Sequence, residues 1–374
     1  MKHKLLLDKI HSRIEDYNRY FYSSENDVIF RFEQKFFVTK LLSIVTIPDL
    51  KILFKVHLSY IEKVINEPNY TSFLIPKKNG GNRLIQSPES DLKKIQMKLN
   101  FYLQQYYHWI RPDGIYGFVI NPNKKEKICN IVENAKVHTN QKYVLNLDLK
   151  DFFPSIKAYR VKELFLSEYF KFSDCVATAL ALLTTYEGKL PIGAPTSPVL
   201  SNFICLELDA DLVAFCNKNQ INFSRYADDL TFSSNNEITD ETINIISEII
   251  KKNQFSINPK KTRLKSSNRK QTVTGLVVNK KVNVDRKTIK MVRAMLYDAS
   301  NNGITIAAIK HLKLDRNANV VDVSYFLNRL DGYINFISQV KGDDDLLVLK
   351  FKSEFKNLAK MKTKHIKSNS YNNS

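Results

Sequence analysis

Apolar residues in the first part of the chain recur at mixed three- and four-residue steps. Leu5, Ile10 and Ile14 set the rhythm and Leu50, Ile52, Leu53 and Val56 resume it, which predicts a mostly helical region over residues 1–72. The pattern then changes. SFLIPKKNGGNRLIQSP (Ser72 to Pro88) places two short apolar runs around a Lys-Lys-Asn-Gly-Gly segment and predicts a β-hairpin with a basic tip. A helix is expected from about Asp91 to Trp109. KYVLNLDLKDFFPSI (Lys142 to Ile156) is a nearly continuous apolar strand interrupted by Asp148. PIGAPTSPVLSNFICLELDADLVAF gives a Gly/Pro loop and then a helix, with Ser197 as N-cap and Pro198 at the first position.

SRYADDLTFSS (Ser224 to Ser234) reads as a second hairpin, with Asp228 and Asp229 side by side at its tip. Beyond it, Thr239 to Asn253 predicts a helix with Ile243, Ile246 and Ile250 on one face. TVTGLVVNKKVNVDR predicts a further hairpin. RKTIKMVRAMLY begins a helix with Ile289, Val292 and Leu296 on one side and Lys287, Lys290 and Arg293 on the other. The last residues, KMKTKHIKSNSYNNS, are polar, basic and aperiodic and predict a mobile tail. The order of hairpin, helix, strand, helix, hairpin and helix predicts an α+β fold, an antiparallel sheet backed by helices. There is no internal repeat and no linker long enough to separate independent domains.

Composition sharpens this picture. The 374 residues are 43% hydrophobic and 25% charged, as in a folded protein, and carry a formal net charge of +19. That excess points to a polyanionic partner, most often nucleic acid, although charge also serves plain solubility. Four cysteines (Cys129, Cys175, Cys205, Cys216) show no CxxC pairing and no metal-site spacing, which fits a reducing cytoplasm. The start of the chain has only three leucines before charges resume, so no secretory signal is read. No apolar run approaches the roughly 18 residues needed to cross a bilayer. The expectation is a cytoplasmic protein without a membrane partner.

The carboxylates are the candidate chemistry. Asp148 sits among Val144, Leu145, Leu147 and Leu149, where even a neutral polar group without a partner costs about 2–7 kcal/mol. Separately, Asp148 could be a solvated strand end and Asp228-Asp229 a polar turn. If the two strands lie side by side their carboxylates converge, and such a cluster is tolerable only around cations. Hard Mg²⁺ uses few carboxylates together with water and substrate phosphates. Two such ions, about 3.5–4 Å apart, suit in-line displacement at phosphorus. An acidic pair in a basic chain makes sense if phosphates must be brought onto metals.

YADD (Tyr226 to Asp229), LDLKDFF, GAPTSP and FLIPKKNGGNRLIQSP stand in the order found in reverse transcriptases, and the chain resembles that family from about Phe73 to Tyr297. NAKVH (Asn134 to His138) and VTG (Val273 to Gly275) resemble elements of the retron branch. The resemblance implies a right-hand polymerase fold: fingers and palm over 73–262, a mostly helical thumb over 263–350, and the basic tail over 351–374. It implies metal binding and catalysis by Asp148, Asp228 and Asp229, with two Mg²⁺ ions as cofactors. Phe153 falls where the family places an aromatic ring against the sugar, excluding a 2′-hydroxyl; core packing is the plainer role for one of Phe152 and Phe153. Lys77, Lys78 and Arg83 fall on the hairpin that grips the triphosphate of an incoming dNTP. Gly193 and Ala194 would let the backbone approach the nascent pair, with Ile192 where many members have Gln. Lys261 in NPKKT falls near the triphosphate, as a general acid or as an ordinary surface lysine. Asn134, His138, Val273, Thr274, Gly275, Lys287, Lys290 and Arg293 are the expected RNA contacts.

The resemblance further implies a dedicated structured noncoding RNA that is both template and primer. Priming from one of its 2′-hydroxyls would leave a branched RNA–DNA product, and an effector protein would complete an antiphage system. Two other readings remain open: an RNA-binding scaffold with a decayed polymerase site, and a group II intron or diversity-generating type of reverse transcriptase. The intact aspartates weigh against the first. NAKVH, VTG and the lack of an evident maturase or nuclease region weigh against the second.

Overall fold

A computed structural model describes residues 28–77, 80–120, 129–314 and 323–371, with the stretches 28–34 and 359–371 described as backbone alone. Two short ladders and one four-stranded sheet organise it. Strands β1 (Tyr70–Pro76) and β2 (Asn82–Pro88) form the expected basic hairpin, pairing Phe73 with Ile85 and Ile75 with Arg83. Strand β3 (Tyr143–Asp148) is nearly all buried, as its apolar run requires, and is central in its sheet. Strands β4 (Asn222–Tyr226) and β5 (Asp229–Ser234) make the aspartate hairpin. With β6 (Arg263–Ser266) the order is β4-β5-β3-β6, and the β3–β5 and β4–β5 pairings are antiparallel.

The chain divides into two compact units. The first comprises residues 1–134 and 143–264. Its core runs through the helix Ser90–Ile110, the helices Asp174–Thr184 and Ser197–Ile204, and the apolar side chains of β3 and β5. Each Leu or Phe fully buried there contributes about 1.5–3 kcal/mol. The helices Val28–Leu42, Leu50–Phe54 and Leu58–Asn66 fit the helical expectation for the N-terminal region, whose residues 1–27 lie outside the described residues. That region is not a separate domain, however. Val38, Leu41, Leu50, Phe54 and Ile61 are buried in the same core as the sheet.

The second unit comprises residues 135–142 and 265–374. It holds the small hairpin of β7 (Thr272–Val273) and β8 (Leu276–Val277), and the helices Arg286–Asn301, Ile304–Leu312, Val323–Lys341 and Leu346–Tyr371. The expected break at residue 351 is corrected. It falls inside the last helix, which buries Phe351 and Leu358, so residues 351–358 are docked and continue the preceding element. Aperiodic polar sequence from residue 360 onward concealed a helix whose anchors lie before it.

Candidate active site

Strand register brings the three aspartates to one place. Asp148, last in β3, lies opposite Asp229, first in β5, and Asp229 also pairs with Tyr226 across the hairpin. Between them Ala227 takes φ +60°, and Asp228 accepts a 2.9 Å bond from Leu149 N at its carbonyl. A left-handed non-glycine residue costs on the order of 1–3 kcal/mol and persists where its surroundings fix it. A turn of 3₁₀ helix, Pro259–Lys261, closes over Asp148. Asn258 donates through its backbone N to the Asp148 carbonyl at 2.8 Å and through Nδ2 to Oδ2 at 3.3 Å. Lys261 Nζ donates to Asp148 Oδ1 at 2.5 Å.

This cluster is short of positive charge. Burial raises the Asp228 carboxyl above its usual range and Asp148 adds to the effect, while Lys261 and Arg83 pull it partly back. Asp229 keeps the most water-facing surface of the three, yet withdrawal from solvent, then the charges of Asp228 and Asp148, push it up to about 6. Lys261 holds its proton more tightly than a free lysine, chiefly through its bond to Asp148. Among the described residues no group of three or more His, Cys, Asp or Glu side chains forms a ready metal cage. The lysine ammonium on Asp148 is a cation already on the donor set. Carboxylate oxygens crowded enough to resist ionisation fit hard divalent cations, which take few protein ligands and complete their shell with water and phosphate.

A second set of charged groups lies beneath the turn, and the sequence reading passed over it. Arg225 and Asp209 are both fully buried. Nε and Nη2 of the guanidinium donate to the two Asp209 oxygens at 2.7 and 2.6 Å. Its Nη1 donates to Asn202 Oδ1 at 2.9 Å and to the Ala227 carbonyl at 3.3 Å. Burial opposes the charged guanidinium, but Asp209 outweighs it, so Arg225 binds its proton more tightly than a free arginine. Burial also favours a neutral Asp209 against the pull of Arg225. Two oxygens each accepting from the fork is the geometry of a carboxylate, so we take the pair as ionised. Gly117 lies against the same turn: a Cβ there would sit 2.3 Å from Ala227 N, so only glycine fits.

The other expected residues take varied positions. Phe152 is buried in the core, while Phe153 is half-buried at the start of the helix Phe152–Ser155, its ring stacked on Phe118 at 5.7 Å. Arg83 is exposed on β2, and Lys77 closes the hairpin tip by donating its N–H to the Gly81 carbonyl; Lys78 lies outside the described residues. Gly193 and Ala194 belong to a loop docked on β2, where Gln86 N donates to the Ile192 carbonyl at 2.7 Å. At φ +122°, a Cβ on Gly193 would meet Gln86 O and Ile85 Cγ2 at 2.9 Å each. The close approach that requires glycine is therefore to the fingers strand.

In the second unit, Lys287, Lys290 and Arg293 are exposed on the helix Arg286–Asn301, whose opposite face buries Val292 and Leu296. Thr274 and Gly275, at φ +46° and +86°, form the two-residue turn between β7 and β8. The segment after NAKVH lies on this hairpin: Asn140 N donates to the Val278 carbonyl, and Gln271 Nε2 donates to the carbonyls of Gln141 and Lys142. Three expected RNA contacts are corrected. Asn134, His138 and Val273 are buried, and burial pushes the His138 imidazole down to about 3, leaving it neutral. Side chains so enclosed do not reach a polyanion.

The family model described as "Reverse transcriptase (RNA-dependent DNA polymerase)" matches residues 75–285, more than half of the chain. The chain belongs to the reverse transcriptase family. Within it, the curated relatives are of the retron type. The Retron Mx65 reverse transcriptase of Myxococcus xanthus is 32% identical over 65% of this chain and 59% of its own length. The Retron Mx162 enzyme of the same species is 31% identical over 64% and 54%, and the Retron Ec86 enzyme of Escherichia coli 34% over 46% and 54%. The chain thus spans somewhat over half the length of these relatives. The telomerase of Candida albicans, solved with a TWJ fragment of telomeric RNA, covers 79% of this chain at 10% identity, with a TM-score of 0.45 over 64% of its own length. Among the described residues no helix is long and apolar enough to cross a membrane.

Proposed function

We propose that this chain is a retron-type RNA-directed DNA polymerase acting in the cytoplasm. It copies part of a dedicated structured noncoding RNA, primes from a 2′-hydroxyl of that RNA, and leaves a branched RNA–DNA product. The observation carrying the polymerase reading is the convergence of Asp148, Asp228 and Asp229 at adjoining strand ends, with Lys261 on Asp148. Asp148 and Asp228, assisted by Asp229, would hold two Mg²⁺ ions, which when bound acidify an attacking hydroxyl and stabilise a leaving pyrophosphate. The chain's own part is to orient these carboxylates through Asn258 and the Arg225-supported turn. In this reading Arg83 and Lys77 bind triphosphate, Phe153 restricts the sugar, and Lys261 would give its proton to the leaving group.

The retron reading is supported by the docking of residues 140–142, just after NAKVH, on the VTG hairpin, whose tip is formed by Thr274 and Gly275. Lys287, Lys290 and Arg293 supply backbone neutralisation without sequence information. Association with an effector protein in antiphage defence belongs to the same proposal. Sequencing of nucleic acid that co-purifies with the chain tests it. The expected result is one short DNA covalently joined to one structured RNA, absent from the Asp228→Asn variant. A heterogeneous RNA population without attached DNA would overturn it.

A further inference from the structure

The residues under the catalytic turn and those behind the sugar ring belong to one connected network. Segment 114–118 runs beside β4: Arg225 N donates to the Gly114 carbonyl at 2.9 Å and Tyr116 N to the Arg225 carbonyl at 3.0 Å. The segment ends on Phe118, a non-glycine residue at φ +60°. Its backbone is held from two helices. Asn202 Nδ2 donates to the Gly117 carbonyl at 3.0 Å, and Gln104 Nε2 to the Phe118 carbonyl at 3.1 Å. The same Asn202 accepts from Arg225 Nη1, which also holds the Ala227 carbonyl. The Phe118 ring then lies on Phe153, with an interplanar angle of 29°.

We propose that Phe118 is a specificity-determining positioning residue that fixes the ring of Phe153, and that Asn202 and Arg225 lock Phe118 in register with the turn bearing Asp228 and Asp229. The proposal rests on the reading of Phe153 as the sugar gate. A sugar 2′-hydroxyl differs from hydrogen by one oxygen, so discrimination needs a ring that does not retreat. Phe153 is only half-buried and has solvent on one side. Phe152 meets it at a tilt of 40° and packs into the core, whereas Phe118 stacks on it at 29°. Strain at Phe118 persists because the side chains of Gln104 and Asn202 both donate to its carbonyl, the expected signature of a position held for function. Phe118 does not touch the nucleotide; it acts through Phe153.

The experiment compares kcat/KM for a dNTP and the matching rNTP in five proteins: wild type, Phe118→Ala, Phe118→Leu, Phe153→Ala and the double Ala variant. A stacked aromatic pair of this kind supports a loss of about two- to tenfold in dNTP-over-rNTP preference for Phe118→Ala. The loss should come from a better rNTP substrate, with the dNTP KM little changed. In the double variant Phe118→Ala should add nothing to Phe153→Ala, since the ring it supports is gone. Phe118→Leu, which keeps bulk but not the flat wall, gives an intermediate loss and guards against a variant that fails to fold. If Phe153→Ala relaxes selection while both Phe118 variants keep it at the wild-type ratio, the gate stands and this inference fails. If Phe153→Ala also leaves the ratio unchanged, the gate reading itself fails and the inference with it.

Discussion

Asp209→Ala removes one partner from a fully buried ion pair and leaves the Arg225 guanidinium charged in the core. Nothing replaces the acceptors at 2.6 and 2.7 Å, because Asn202 and the Ala227 carbonyl already engage only Nη1. Breaking such a pair costs about 3–5 kcal/mol, a large part of the roughly 5–15 kcal/mol that holds a domain folded. With a urea m-value near the top of the range of about 1–3 kcal/mol/M, the midpoint should fall by about 1–2 M. Trp109, the single tryptophan, lies in the same unit on the helix Ser90–Ile110, so its emission follows this transition. A companion variant separates charge from shape. Asp209→Leu with Arg225→Met should be more stable than Asp209→Ala, because apolar residues can replace a buried pair at little net cost. DNA synthesis should nonetheless stay low, since the Ala227 carbonyl and Asn202 Oδ1 have lost their donor. An Asp209→Ala protein with the wild-type midpoint, or a double variant weaker than the single, would refute this account of the pair.

Three further outcomes are expected. Asp228→Asn should cut primer extension by orders of magnitude while RNA affinity, measured by filter binding, stays the same; unchanged extension in Mg²⁺ would remove Asp228 from the metal set. Because the Asp229 carboxyl is raised to about 6, above the value near 3.9 of an unfolded chain, protons compete with cations below that pH. The Mg²⁺ concentration for half-maximal extension should therefore rise as pH falls from 8 to below 6, and the metal-free protein should gain stability from this group as pH falls from about 6 toward about 4. Lys261→Met removes the ammonium that occupies Asp148 Oδ1, so half-maximal extension should need less Mg²⁺ even as the maximal rate drops. An unchanged Mg²⁺ requirement would show that the contact does not compete with metal.

Much of the fold was legible because its strands and helices have strong periods. The apolar run around Asp148 could only be a central strand, and the isoleucines from Ile243 to Ile250 could only line one helix face. The convergence of Asp148 with the aspartate hairpin followed once both strands shared a sheet. Arg225 was not legible: an arginine in a chain of net charge +19 reads as one more surface cation, and its partner Asp209 lies in a helix 16 residues earlier in the chain. Its position two residues after Phe223, on the same face of a strand by alternation, was the available signal. Asn134, His138 and Val273 were misplaced for the opposite reason. A motif identifies residues that matter without saying whether they touch a partner or hold the backbone that does. Gly117 carried no local signal, because the atom it must avoid belongs to Ala227, far along the chain in the aspartate turn.

The second unit takes residues 135–142 from the middle of the chain and the rest from 265 onward. A ribosome therefore delivers the small piece before it has made β4, β5 or the aspartate turn. Residues 135–142, with the enclosed His138, must wait for more than a hundred residues before their unit can close. A gene cut at residue 264 would leave that piece stranded on the wrong fragment. The two units are thus not cassettes that recombination can exchange at one junction. A change of RNA partner during evolution would have to come by substitution within the chain, or by an exchange with two crossover points.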